Sequence, residues 1–192
     1  MEIIGILGHQ GVGKNYIAEE ILLKKLDYKP TLVIAFADHF KVEGISKYDL
    51  EYDKVYGKKD FNTRKRLHLI GTEEGRQKFG YDIWIKTIHN WIKVYNSRGI
   101  ERFIIPDVRF QNEVDWIKSL NGVVLKINAP NRYMARVKEE ANNDSEKIKN
   151  IISHESENMI DKIKNYDYVF NNDYNDDINN EIKSFIKLNK IY

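Results

Sequence analysis

The chain has 192 residues, 42% of them hydrophobic, enough for one well-cored domain with at most a small insertion. Its 31 Lys and Arg nearly balance 29 Asp and Glu, so the net charge of +2 gives no general reason to expect a nucleic-acid or membrane-surface partner. The absence of cysteine excludes a disulfide framework and thiolate metal sites. No run approaches the roughly 20 apolar residues of a membrane span, and MEIIGIL carries Glu2 and lacks a basic leader or cleavage signal, so a soluble cytoplasmic protein is expected.

In chain order, the first apolar run, Ile3 to Leu7, reads as a strand and leads into GHQGVGKN. Gly8, Gly13 and Lys14 fit the phosphate-loop pattern G-x-x-x-x-G-K-(S/T), with Gly11 and Val12 inside it and Asn15, then Tyr16, where the hydroxyl residue and its successor usually stand. Glycines are needed there because the backbone wraps a phosphate closely, N–H groups inward, while the next helix presents its positive end. Lys14 would set a mobile cation against the β- and γ-phosphates. Asn15 leaves the metal contact open: the usual hydroxyl is a direct Mg²⁺ ligand, and an amide oxygen can coordinate a hard cation or hold one of its waters.

A helix from Gly13 or Lys14 should bury Ile17, Ile21 and Leu22. A second strand is expected over Thr31 to Phe36, then helices over about Thr63 to Lys78 and Tyr81 to Tyr95. The latter carries Ile83, Trp84, Ile88, Trp91, Ile92 and Tyr95 on its apolar face. In FNTRKRLHLIGTEEGR, Arg64 offers a guanidinium, although Arg64 to Arg66 reads equally well as a solvated face, and Gly71 with Thr72 interrupts the pattern as though something packs closely on the backbone.

A third strand, Phe103 to Ile105, leads to Asp107 and Arg109, at the carboxyl edge where open parallel sheets bind ligands. Asp107 could organise a hydrated Mg²⁺ or an acceptor group, and Arg109 could grip a phosphate; a surface ion pair is the plain alternative. After a fourth strand, Val123 to Ile127, Arg132 and Arg136 share a helical face. Next comes the polar stretch Glu139 to Asn150, which reads as mobile, a lid or a surface loop. Such arginines suit phosphoryl transfer or are simply exposed charges. YDYVFNNDYNDDINNEI ends the pattern as a strand from Tyr168 to Phe170, a loop from Asn171 that could lie against an adenine but carries no base-specific signal, and a helix. The five histidines lack metal-ligand spacing. The alternation of β-branched runs with helices predicts an α/β fold with a mainly parallel, two-sided sheet of five strands.

With these blocks in view, the chain resembles the deoxynucleoside monophosphate kinase family of bacteriophages and related viruses. The blocks that carry the likeness are FADHFK with Asp38 and Lys41, TRKRLHLIGTEEGR with Arg64, Gly71, Thr72 and Arg76, YDIW with Trp84, DVRFQNE with Asp107, Arg109 and Glu113, and HESE at His154 to Glu157. That family's loop commonly ends Gly-Lys-Asp, so Asn15 departs from the general motif where the family does too. His68 stands where the family often has Gln.

The resemblance implies a three-layer α/β/α P-loop kinase forming one domain over 1–192, with a monophosphate-binding helical insertion at about 37–98 and a small lid at about 131–152. It implies ATP and Mg²⁺ as cofactors. Gly8, Gly11, Val12, Gly13, Lys14, Asn15, Tyr16, Arg132 and Asn171 would hold the nucleotide, with Asn15 toward the metal. Lys14, Asp107, Arg109, Arg132 and Arg136 would serve the transfer. Asp38, Lys41, Arg64, Gly71, Thr72, Arg76, Trp84, Asp107, Arg109 and Glu113 would serve the acceptor, a deoxynucleoside monophosphate destined for DNA synthesis. It leaves a homodimer open and places a viral protein in the host cytoplasm. The alternatives are a P-loop kinase of another small phosphorylated acceptor, such as phosphomevalonate, or a nucleotide-binding module that has lost transfer.

Overall fold

In the computed structural model, which describes residues 1–26, 28–57, 59–174 and 177–188, the five β-branched runs become five parallel strands. They are β1 (Glu2–Leu7), β2 (Thr31–Val33), β3 (Arg102–Val108), β4 (Val123–Asn128) and β5 (Tyr168–Asn171), in the order β2-β3-β1-β4-β5. β1 pairs with β3 from Glu2 opposite Arg102 to Leu7 opposite Val108, and with β4 from Ile4 opposite Val123 to Leu7 opposite Lys126, so the strand that feeds the glycine loop is central. Because every pairing is parallel, all carboxyl ends share one edge, and the segments that follow β1, β3, β4 and β5 gather there.

Near-continuous Ile and Leu in β1 are explained by helices on both faces. One face meets a helix made of Lys14–Tyr16, a π-helical stretch Ile17–Leu22 and Leu23–Lys25, together with the helices Pro130–Glu140 and Ile178–Leu188. Ile4, Ile6, Ile104, Leu125 and Ile127 interlock there with Ile17, Ile21, Leu22, Tyr133, Val137 and Ile182. The other face meets the helix Gln111–Ser119, whose buried Ile117 comes so close that a methyl group on Gly5 would lie 2.6 Å from its Cδ1. These three layers make the α/β/α arrangement expected from the sequence.

At the amino edge, Arg102 is fully buried and donates to Glu2 Oε2, Leu26 O and Tyr28 Oη, each at 2.8 Å. A charge there is tolerable because it is paired and several of its N–H groups are used.

Contacts divide the chain into two units, one of Met1–Ile34 with Val94–Tyr192 and one of Ala35–Lys93. The second contains the helices Asp38–Tyr48, Tyr52–Tyr56 and Phe61–Leu69, the π-helical Ile70–Gln77, and most of the helix Ile83–Asn96. β2 is shorter than expected, ending at Val33. The expected helix over 63–78 changes pitch at Ile70. Trp91 is exposed, because the buried stripe runs through Trp84, Ile85, Ile88 and Ile92 and leaves Trp91 at its margin.

The polar stretch at 139–150 is mostly helical: it ends the helix Pro130–Glu140, turns over residues 141–144, and begins the helix Ser145–Ser153. Asn142 and Asn143 adopt positive φ, which Asn tolerates, and the Asp144 carboxylate caps Ser145–Ser153 by accepting from Glu146 N and Lys147 N. Ile148 and Ile151 anchor that helix on the core. Asn175 and Asp176 of the expected final loop lie outside the described residues. Among the described residues no helix is long and apolar enough to cross a membrane.

Candidate functional site

Four segments converge at the carboxyl edge of the first unit. The glycine loop leaves β1 with Gly11 at φ 75° and Gly13 at φ 92°, backbone that an L side chain adopts only with strain. Space makes the same demand. A methyl group on Gly11 would lie 2.7 Å from Arg136 Cβ, and one on Gly13 would lie 2.6 Å from Asn172 Nδ2. Asn172, buried, donates to Val12 O at 2.8 Å, so the residue after β5 pins the loop. Asn171 itself is exposed and accepts from Asn128 Nδ2 at 3.1 Å.

Lys14 is buried and donates through Nζ to Gly8 O at 2.7 Å and His9 O at 2.5 Å. Burial, and then the nearby Arg109 charge, press its pKa down to about 7, with Glu157 and Asp107 acting the other way. Asn15 and Tyr16 are exposed at the start of the following helix.

Asp107 and Arg109 sit at and just beyond the end of β3. Glu113, expected from the resemblance to serve the acceptor, is buried, and Oε2 accepts from Arg109 N at 2.7 Å and Phe110 N at 3.1 Å. It shapes the turn that presents Arg109. The Arg109 guanidinium bonds Glu157 through NH1. Burial opposes its charge, but Glu157, Asp107 and Glu113 outweigh that and hold its pKa above the ordinary value.

Glu157 is the residue that sequence reasoning left out of the site. It lies on the short helix Glu155–Asn158, 4% exposed, and its Oε2 also accepts from Gln10 N at 3.2 Å and lies 3.2 Å from His9 Nδ1. Burial would raise its pKa. Arg109, His9, Lys14 and the Gln10 N–H overcome that and bring it to about 2. His9 places its other ring nitrogen 3.2 Å from Asp161 Oδ1 and stacks on Tyr133 with centroids 4.3 Å apart. The HESE block was the one local signal for Glu157, and nothing in spacing linked it to a loop about 150 residues earlier.

The helix Pro130–Glu140 brings both predicted arginines to this edge. Arg136 lies along Gly11 and bonds Glu139 Oε2 at 3.0 Å. Arg132 stands 5.1 Å over the Tyr174 ring, with its backbone N–H donated to Asp173. Lys14, Asp107, Arg109, Arg132 and Arg136 therefore belong to one unit and one edge.

In the second unit, Asp38 accepts from Ala35 N at 2.8 Å and pairs with Lys41 at 3.2 Å, while Lys41 stands 4.8 Å over the Tyr56 ring. Burial, then the Asp38 charge, push the Tyr56 hydroxyl up to about 12. Arg64, Thr72 and Arg76 are partly exposed. Trp84 is not an open platform for a base. It is buried, donates Nε1 to Gly71 O at 2.8 Å, and its ring would overlap a methyl group on Gly75. The close packing that Gly71 signals comes from Phe40, 3.3 Å from where its methyl would be.

A family model described as phosphomevalonate kinase matches residues 6–122, the span that holds the loop, the GTEEGR block and DVRFQNE. The chain belongs to the phosphomevalonate kinase family. A relative from Acanthamoeba polyphaga mimivirus, provisionally named a deoxynucleotide monophosphate kinase, is 28% identical over 193 residues, covering 90% of this chain and 89% of its own. The dephospho-CoA kinase of Campylobacter jejuni superposes with a TM-score of 0.52 at 16% identity, over 99% of this chain and 98% of its own, which is a likeness of fold. Membership of the phosphomevalonate kinase family makes this chain a P-loop kinase of a small or phosphorylated substrate.

The loop fits a nucleotide's phosphates. Gly11 and Gly13 let the backbone take its positive-φ turns where side chains would strike Arg136 and Asn172, and Lys14 already bonds two of the loop's carbonyls. For Mg²⁺, Asn15 at the start of the helix and Asp107 in β3 offer side-chain oxygens. Among the described residues no three His, Asp or Glu side chains group as a metal-binding cluster, so a cation here would rely on phosphate oxygens and water, as Mg²⁺ commonly does.

Proposed function

We propose that the protein transfers the γ-phosphoryl of ATP to the 5′-phosphate of a deoxynucleoside monophosphate. A non-bridging oxygen of the acceptor phosphate forms the new bond to Pγ as the bond from Pγ to the β–γ bridging oxygen breaks, and ADP leaves with that electron pair. The observation that carries the reading is the gathering of Lys14, Arg109, Asp107, Arg132 and Arg136 at the loop, since two anions can be aligned only where positive charge is fixed in advance. An acceptor phosphate is ionised near neutrality, so no strong general base is required.

Within this scheme Lys14 exchanges its carbonyl partners for phosphate oxygens, and Arg109 bears charge that develops on the transferred group. Arg132 and Arg136 shield the donor side. Asn15 and Asp107 are the residues that would hold Mg²⁺, directly or through its waters, and the ion would supply further charge neutralisation when bound. Within Ala35–Lys93, the proposed contacts of the acceptor nucleoside are Asp38, Lys41, Arg64, Gly71, Thr72 and Arg76.

The deoxynucleotide acceptor is supported by the viral relative's coverage of nearly the whole chain. The family match favours a second reading, transfer to phosphomevalonate. ADP release measured with dTMP, dGMP, dCMP, dAMP, their ribo forms and phosphomevalonate separates them. Turnover with one or more deoxynucleotides is expected. Turnover confined to phosphomevalonate would establish the second reading, and ATP binding without acceptor-dependent turnover would leave a non-catalytic nucleotide module.

A further inference from the structure

We propose that Glu157 is a positioning residue of the phosphate site, acting through Arg109 and holding that guanidinium against the glycine loop before any phosphate arrives. The inference rests on the kinase reading of the same site. Glu157 joins two parts of the chain directly: the loop, through Gln10 N–H and His9, and the end of β3, through the Arg109 guanidinium.

A carboxylate this deeply buried is costly unless each oxygen is used. Here Oε1 takes Arg109, and Oε2 takes the Gln10 N–H and faces the His9 ring. Lys14 and Arg109 repel one another, as the effect of Arg109 on the Lys14 ammonium shows, and the Glu157 charge opposes that repulsion. In the free protein Glu157 offsets the cost of bringing two cations together. In the ternary complex the phosphates take over that task.

The bond engages one terminal nitrogen of Arg109, and a guanidinium has five N–H donors, so the rest of the fork remains for a phosphoryl group. Tyr133 and Asp161 complete the surroundings of this carboxylate through the His9 ring. No phosphate contact by Glu157 itself is implied, and its effect must therefore pass through Arg109.

The test is a double-mutant cycle with Glu157→Gln, Arg109→Ala and the double variant, assayed for kcat and for KM of ATP. Glu157→Gln is expected to lower kcat about 30-fold with KM for ATP within about 3-fold, and to change kcat less than about 2-fold once Arg109 is already Ala. Should Glu157→Gln not fold, Glu157→Asp, which keeps the charge on a shorter arm, replaces it in the cycle with the same non-additivity expected. A kcat within 2-fold of wild type, or an equal loss with and without Arg109, would overturn the inference. A wild-type protein that turns over no acceptor would strike the reaction and not this inference. The cycle is then read as the calorimetric Kd for inorganic pyrophosphate, where a shift of about 5-fold in the wild-type background and under about 2-fold in Arg109→Ala supports it, and equal shifts in both refute it.

Discussion

Replacing Glu157 by Gln should change how stability depends on pH in a direction that its surroundings fix. The folded protein holds this carboxyl at about 2 against an ordinary 4.5, so protons bind the unfolded chain more readily and the charged form stabilises the fold. The stabilisation is complete above about pH 5 and fades as pH falls toward 2. At about 1.4 kcal/mol per pH unit it amounts to about 3 kcal/mol, of which about 2 kcal/mol is gone by pH 3. Urea unfolding of the wild type and of Glu157→Gln at pH 7, 5, 4 and 3 isolates the contribution, because other carboxylates titrate equally in both. The wild-type lead should shrink by about 2 kcal/mol between pH 7 and pH 3. A lead that stays constant across that range would show that Glu157 is not held as an ion by Arg109 and the loop.

Other substitutions probe separate parts of the account. Asn15→Ala should raise the Mg²⁺ concentration for half-maximal turnover several-fold, about 3- to 10-fold, with Asp and Thr at the same position doing so less; one Mg²⁺ dependence for all three would remove Asn15 from the metal's surroundings. Trp84→Phe should cost about 1–2 kcal/mol in urea unfolding through the lost bond to Gly71 O, with acceptor KM within about 3-fold, and the opposite pattern would restore a base-stacking role. Arg102→Ala should destabilise by about 3–5 kcal/mol because Glu2, Leu26 O and Tyr28 lose their shared donor, yet leave kcat at 25 °C within about 2-fold, since its contacts lie at the sheet edge opposite the loop. A large fall in kcat without lost stability would contradict that placement.

The fold was legible wherever a local pattern carries its own physics. Ile3 to Leu7 followed by Gly8, Gly13 and Lys14 specifies a buried strand, a tight anion-binding turn and a helix start, and β1 with its loop follows that reading. Segments that depend on partners far along the chain were less legible. Glu113 and Trp84 stand in strongly marked blocks, yet one fastens the backbone of its own turn and the other fills a core against glycines, uses that the residue type alone does not distinguish from ligand binding. Asn171 and Asn172 are adjacent and chemically identical, and only the end of β5 against the loop decides that Asn172 reaches Val12. Glu157 shows the same limit more sharply, because its partners at Gln10, His9 and Arg109 are brought to it by the tertiary fold and by nothing near it in sequence.

Direct transfer is the most immediate test of the central claim. With ATP labelled in its γ-phosphoryl, Mg²⁺ and, in turn, each deoxynucleoside monophosphate or phosphomevalonate, chromatography of the products follows where the label goes. The account predicts label in a deoxynucleoside diphosphate at about 100-fold or more over Lys14→Ala, whose loop lacks the cation. Label that appears only in inorganic phosphate, or only in a product of phosphomevalonate, would contradict it.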